Sequence, residues 1–197
     1  MAPTHVAVGL LLAAPVAAHK PELAPLAAAV AGSVFPDLDL LVGRHRKSLH
    51  FPVYSWLLAL PAVAAAAALR TPWSVSLGLF LLAAALHPAV DLLGGSSEPA
   101  PWEYATDRGV YLHLGGRWLA PKRWVRYDGA PEDLALAVCC TVPALVVFDG
   151  PARAVALGSL AVGVGYAAAR KRIPQLSGRF PGAVLWIAGL FLSRLRR

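Results

Sequence analysis

Seven apolar runs separated by short polar breaks take up most of the chain, at about residues 5–18, 22–35, 52–69, 73–93, 134–148, 152–169 and 181–193. A helix needs about 20 apolar residues to cross a bilayer, with roughly 17 as the practical minimum. Runs 52–69, 73–93 and 152–169 meet that length. Runs 5–18 and 22–35 are shorter and rich in alanine. They are expected either as tilted spans lengthened by a turn or as a helical hairpin packed inside the protein. The last run is expected to lie in the membrane interface. Pro21, Pro36, Pro52, Pro72, Pro131, Pro151, Pro174 and Pro181 stand at the edges of the runs. Proline suits a helix's first turn and disfavours helix before it, so these residues punctuate the helices. Pro15, Pro61, Pro88 and Pro143 fall inside runs and predict kinks, which membrane helices tolerate. Small residues, as in Ala62 to Ala68 and Gly158 to Ala169, allow helices to approach closely.

Residues 94–133 break the pattern. Gly94-Gly95-Ser96-Ser97 opens a polar stretch that carries Trp102, Tyr104, Tyr111, Trp118, Trp124 and Tyr127. It is expected to be an interfacial loop with aromatic anchors, long enough to cover a site. The pattern as a whole predicts one integral membrane domain. Its fold class is all-α, a polytopic helical bundle of about six transmembrane helices plus a short C-terminal helix. Within it, residues 1–93 are expected to form the half that carries the candidate ligands, 94–133 the interfacial loop and 134–197 the C-terminal helices.

Composition supports that reading. Hydrophobic residues make up 57% of the chain, charged residues 15%, and mean hydropathy is +0.58. Soluble domains are nearer about 45–50% apolar and about 25% charged. The formal net charge is +7. The basic residues gather between runs without an aromatic-interleaved stripe, which argues against nucleic acid as a partner. If the first six runs all cross, the N-terminus, 36–51, 94–133 and 170–180 share one face. That face holds Arg44, Arg46, Lys47, Arg108, Arg117, Lys122, Arg123, Arg126, Arg170, Lys171, Arg172 and Arg179. The other has Lys20, Arg70 and Arg153. The positive-inside rule makes the first face cytoplasmic, in a multi-pass protein of the cell membrane. The tail arginines 194, 196 and 197 would be on the wrong side if the last run crossed. No basic residue precedes the first run, so it reads as a retained helix rather than a cleaved signal. Cys139 and Cys140 are adjacent within an apolar run and suggest neither a disulfide framework nor a zinc motif.

Six histidines and eleven acidic residues remain, and seven of them form short clusters. His5 follows Thr4 at the start of the first run. Asp37 and Asp39 lie in Pro36-Asp37-Leu38-Asp39. His45 and His50 bracket Arg46-Lys47-Ser48-Leu49. His87 and Asp91, four apart, share one helix face near the end of the fourth run. The topology above puts all seven near one membrane face, and it was built without using them. Ionisable groups inside an apolar helix are costly and usually functional. Imidazole and carboxylate suit zinc, manganese or iron, and seven candidates suffice for one or two ions. Taken singly, each cluster has a plainer reading as a helix cap, an interfacial histidine or a buried pair. His19 and His113 read as surface or loop histidines. Glu103, Asp107 and Arg108 read as loop charges.

In this order Thr-His, Pro-Asp-Leu-Asp, His-Arg-x-x-x-His and His-x-x-x-Asp resemble the YdjM-like inner-membrane metal-dependent hydrolases. The resemblance covers about residues 4–93. It implies metal ligation by His5, Asp37, Asp39, His45, His50, His87 and Asp91. The family pattern reads His-Arg-Gly-x-Thr-His-Ser. Here Lys47, Leu49 and Phe51 replace its Gly, Thr and Ser. Two hydroxyls are lost, which bears on hydrogen bonding around the ligands or on substrate choice. The set is also similar, more distantly, to zinc-dependent phospholipase C enzymes.

The expected function is that of a membrane-bound hydrolase using a divalent metal, zinc or manganese, as one or two ions. The expected substrate is a phosphoester of a membrane lipid. Asp37 or Asp39 would act as the catalytic carboxylate, orienting water or taking its proton. Arg44, Arg46 and Lys47 would hold an anionic headgroup. The alternatives are a metal or proton carrier, or a metal-stabilised scaffold. Carriers often repeat broken helices in both halves, whereas here the polar set is confined to the first.

Overall fold

A computed structural model describes residues 1–19 and 22–174 of the chain. The helix expected at 181–193 and the charges of Lys20, Arg179 and the tail lie outside these residues. About 71% of the described residues are helical. The helices are α1 (Ala2–His19), α2 (Leu23–Val34), α3 (Tyr54–Leu69), α4 (Pro72–Leu93), α5 (Pro131–Val147) and α6 (Gly150–Ala169).

The helix ends follow from local chemistry. Pro36 has no N–H to donate, so α2 tightens into a six-residue 3-10 segment, Phe35–Leu40. Arg70 closes α3 in the left-handed conformation, φ 52°. Thr71 then caps α4, exchanging hydrogen bonds with Ser74 while Pro72 fills the first turn. Helices α1, α3, α4 and α5 run on through Pro15, Pro61, Pro88 and Pro143.

Four helices are long and apolar enough to cross a membrane: Ala2–His19, Leu23–Leu40, Pro72–Leu93 and Gly150–Arg172. Two lengths depart from the run-based expectation. The two short N-terminal runs both become 18-residue segments. Run 52–69, expected to span, forms a helix of 16 residues, Tyr54–Leu69, with Pro52 and Val53 in a turn before it. Helix α5 has 17.

Close packing around small residues holds the helices together. Helix α1 packs on α2 and α5, and α4 packs on α2 and α3. Leu10, Ala13, Leu26, Ala29, Leu79, Ala144, Phe148 and Ala156 form the apolar core. A Cβ at Gly32 would run into the Phe80 backbone carbonyl of α4. One at Gly9 would lie 2.8 Å from the Ala29 carbonyl oxygen of α2. The glycines let backbone meet backbone across both interfaces.

The segment expected as an interfacial loop holds a small antiparallel hairpin. β1 (Val110–Leu112) pairs with β2 (Arg117–Leu119), with Tyr111 opposite Trp118. Its three-residue strands are too short to leave an alternating signal in the sequence. The Tyr111 amide donates to the Arg46 carbonyl at 3.0 Å, which ties the hairpin to the loop after α2. The amides of Lys122 and Val125 donate to the carbonyls of Leu92 and Leu93, closing the segment over the end of α4. At this end of the bundle Thr4 also bonds Asp133 and Arg170 bonds Asp128. The start of α1, the ends of α4 and α6 and the start of α5 therefore meet in one place.

Candidate metal centre

The site is built around Asp39, whose side chain is fully buried. Its two oxygens take one imidazole each: Oδ1 accepts from His45 Nδ1 at 3.0 Å, and Oδ2 from His50 Nδ1 at 2.9 Å. The intervening loop is shaped for this. Gly43 has φ 128°, and a Cβ there would collide with Ser48. The Ser48 hydroxyl accepts from the Arg44 amide at 2.8 Å, and Arg46 turns left-handed at φ 58°. The result aims both histidines back at the 3-10 segment.

Helices α1 and α4 supply the rest. His87 Nδ1 donates to the Ser33 carbonyl at 2.6 Å, which fixes its tautomer and leaves Nε2 as the free nitrogen. That Nε2 is buried and has no hydrogen-bond partner. It lies 3.3 Å from Asp37 Oδ1 and 3.4 Å from Asp91 Oδ2, outside hydrogen-bond geometry. His50 Nε2 lies 3.1 Å from Asp91 Oδ2 and 3.9 Å from Asp37 Oδ1. His5 stacks on His87 with centroids 3.6 Å apart, and its Nε2 meets Asp91 Oδ1 at 3.2 Å.

Three overlapping sets of side chains can hold a metal ion: His5, Asp37 and His87; Asp37, His45 and His50; and His50, His87 and Asp91. Asp37, His50 and His87 each belong to two sets, so the sets form a single cluster. Ligands about 2.0–2.2 Å from a tetrahedral ion stand about 3.4 Å from each other. Four His-to-Asp separations among Asp37 Oδ1, Asp91 Oδ2, His50 Nε2 and His87 Nε2, between 3.1 and 3.9 Å, bracket that value, and Asp37 and Asp91 belong to different sets. Asp39 stands behind this quartet, outside all three sets.

The structure thus brings together the seven residues singled out in the sequence. Arg44, Arg46 and Lys47 part company. Arg46 is buried, with Nη1 donating to the Gly95 carbonyl at 2.7 Å and Nη2 3.4 Å from Asp91 Oδ1. Arg44 is exposed and lies over the Trp118 ring, and Lys47 lies over Tyr111 at 4.0 Å. His113 packs against Phe51 and Tyr111. Asp107 pairs with Arg123 at an exposed position away from the cluster.

A cavity of about 360 Å³ opens onto His5, Asp37, His45 and Asp91, and its far wall is a second polar group, Asp128, Tyr166 and Arg170. Asp128 takes a two-point hydrogen bond from Arg170, each at 2.9 Å, and one from the Tyr166 hydroxyl. The sequence reading missed this group. Arg170 stood among topology charges, and Asp128 is separated from it by two helices. Burial pushes the Asp128 carboxyl up, but the bonds from Arg170 and Tyr166 outweigh burial and hold it below its ordinary value. Burial likewise pushes the His50 imidazole down, yet its bonds to Asp39 and Asp91 leave it raised.

Compared with known proteins, the chain matches no family model, no curated sequence and no solved structure.

Proposed function

We propose that the protein is a membrane-bound, metal-dependent hydrolase of the kind the YdjM-like resemblance implies, acting on a phosphoester of a lipid. One observation carries the reading: the buried Nε2 of His87, without a hydrogen bond of good geometry, lies within 3.4 Å of two carboxylates. An imidazole nitrogen and two carboxylate oxygens at this spacing match the ligand-to-ligand distances around a divalent ion, which would complete the arrangement. The Ser33 carbonyl on Nδ1 is the support typical of a ligating histidine.

His50, His87 and Asp91 would form one ligand set and Asp37 with His5 and His87, or with His45 and His50, a second, so that the cluster could take one or two ions. A divalent ion bound there would lower the pKa of water toward about 7 and stabilise charge on a departing oxygen. Asp37 takes the catalytic role. It is only partly buried and lines the cavity, so it can reach a substrate-side proton. Asp39 has both oxygens engaged, and its role is to aim His45 and His50. Arg46 orients Asp91. Arg44 and Lys47, on the surface, remain the candidates for contact with an anionic headgroup. In this reading the long apolar helices cross the cell membrane, with six crossings if α3 and α5 span as well, and the cluster faces the cytoplasm.

The test is metal analysis of purified wild type, His87→Ala and Asp91→Ala, alongside hydrolysis of a phospholipid and of bis(p-nitrophenyl) phosphate. The reading expects bound divalent metal and hydrolysis in wild type, with both lost in the variants. Bound metal without hydrolysis of either ester would leave a carrier or scaffold instead.

A further inference from the structure

The 3-10 segment Phe35–Leu40 divides two spaces of opposite character. On one side is the polar cavity, reached by Asp37 and Leu40. On the other is an apolar groove of about 340 Å³ between that segment, α3 and α4. Pro36, Leu49, Phe51, Leu58, Phe80 and Ala84 line it. The wall is thin: Pro36 precedes Asp37, Leu49 precedes His50, and Ala84 lies one turn before His87. The Ser55 hydroxyl, the one aliphatic hydroxyl in the lining, is turned onto the Phe51 carbonyl. The volume lies in the range of roughly 300–1,000 Å³ typical of ligand pockets.

We infer that this groove seats an acyl chain of the lipid substrate while its phosphoester lies at the Asp37 side; this rests on the hydrolase reading above. The occupant follows from the surroundings. Ala59 is the only buried residue of α3, and Leu57, Leu58 and Leu60 all face outward, each more than 60% exposed. Helix α4 has a mean hydropathy of 1.8 over its span window. A groove opening on such a surface within a bilayer is filled from the bilayer, and only an apolar chain enters without leaving polar groups unsatisfied. An amphipathic molecule with its chain in the groove brings its head group to Asp37, because one turn of backbone forms both walls.

The full-length protein in nanodiscs, loaded with a phospholipid carrying a photoactivatable acyl chain, tests this. Cross-links mapped by mass spectrometry are expected on Phe51, Leu58, Phe80 and Leu81. Ala84→Trp fills the groove from α4, and Leu58→Trp narrows it from an exposed position that folding does not depend on. Denying a seat to about two methylenes should lower cross-linking roughly tenfold in each variant while metal content is unchanged. Hydrolysis of the long-chain lipid should fall with it, and hydrolysis of bis(p-nitrophenyl) phosphate should not. Groove cross-links in a protein that hydrolyses nothing would sink the enzyme reading and keep the acyl-chain seat. Labelling spread evenly over α3 and α4, or peptides of residues 175–197 or of a second copy cross-linked in the groove, would overturn the inference.

Discussion

His5 and His87 stack face to face with an interplanar angle of 15°, although one opens the first helix and the other lies near the end of the fourth. Both rings direct Nε2 at the same carboxylate, Asp91, one at each oxygen. This contact docks the N-terminal helix onto the ligand set. His5→Ala is expected to lower metal affinity and the melting temperature together. Isothermal titration and thermal unfolding of the same preparation check this. A variant that lost neither would show that the stack is incidental.

Asp39→Asn separates aiming from ligation. The amide can offer an N–H where a carboxylate oxygen now accepts, which would turn one imidazole to the wrong tautomer. Metal affinity should fall about 10–100-fold with the fold retained, as for other residues that orient ligands. Asp91→Ala should abolish stoichiometric binding under the same conditions. Equal losses in the two variants would move Asp39 into the ligand sets.

The pairing of Asp128 with Arg170 gives a pH dependence with a definite sign. The carboxyl is held below its unfolded value of about 3.9. Its stabilisation is therefore present above that pH and disappears as pH falls through the lower folded value. Asp128→Asn should cost about 2 kcal/mol near neutral pH. The gap in melting temperature between variant and wild type should close in acid. A gap independent of pH would mean the pair contributes through packing alone.

Gly32→Ala tests the α2–α4 interface on which the site stands. The added methyl meets backbone rather than a movable side chain, so the helices must separate. Overpacking of this kind typically costs about 1–3 kcal/mol. Because Ser33 positions His87 from the next residue, metal affinity should drop with stability. Unchanged melting and metal binding would contradict the close contact.

Much of this centre could be read in the sequence because its parts are short and repeat a theme. His45, His50 and Asp39 fall within twelve residues, and His87 and Asp91 share a helical face by spacing alone. What could not be read was the division of labour. Nothing in Pro36-Asp37-Leu38-Asp39 tells which carboxylate faces the cavity; the 3-10 turn decides it. Arg46 looked like its exposed neighbours, and its left-handed backbone, which turns it inward, has no sequence mark. Asp128, Tyr166 and Arg170 are joined only by the packing of α6 beside α1 and α5. Run length overstated α3 by two residues, because Pro52 and Val53 lie in a turn before Tyr54.

The scatter of the seven side chains along the chain sets an order of assembly. A ribosome releasing this polypeptide delivers Asp39, His45 and His50 early, within one short stretch. The three sets are complete together only once Asp91 has emerged and α4 has set His87 against His5 of the first helix. A cation held there, as proposed above, would fasten the first helix to the fourth like a rivet, so the site would be whole only in a chain whose N-terminal half has already been threaded correctly.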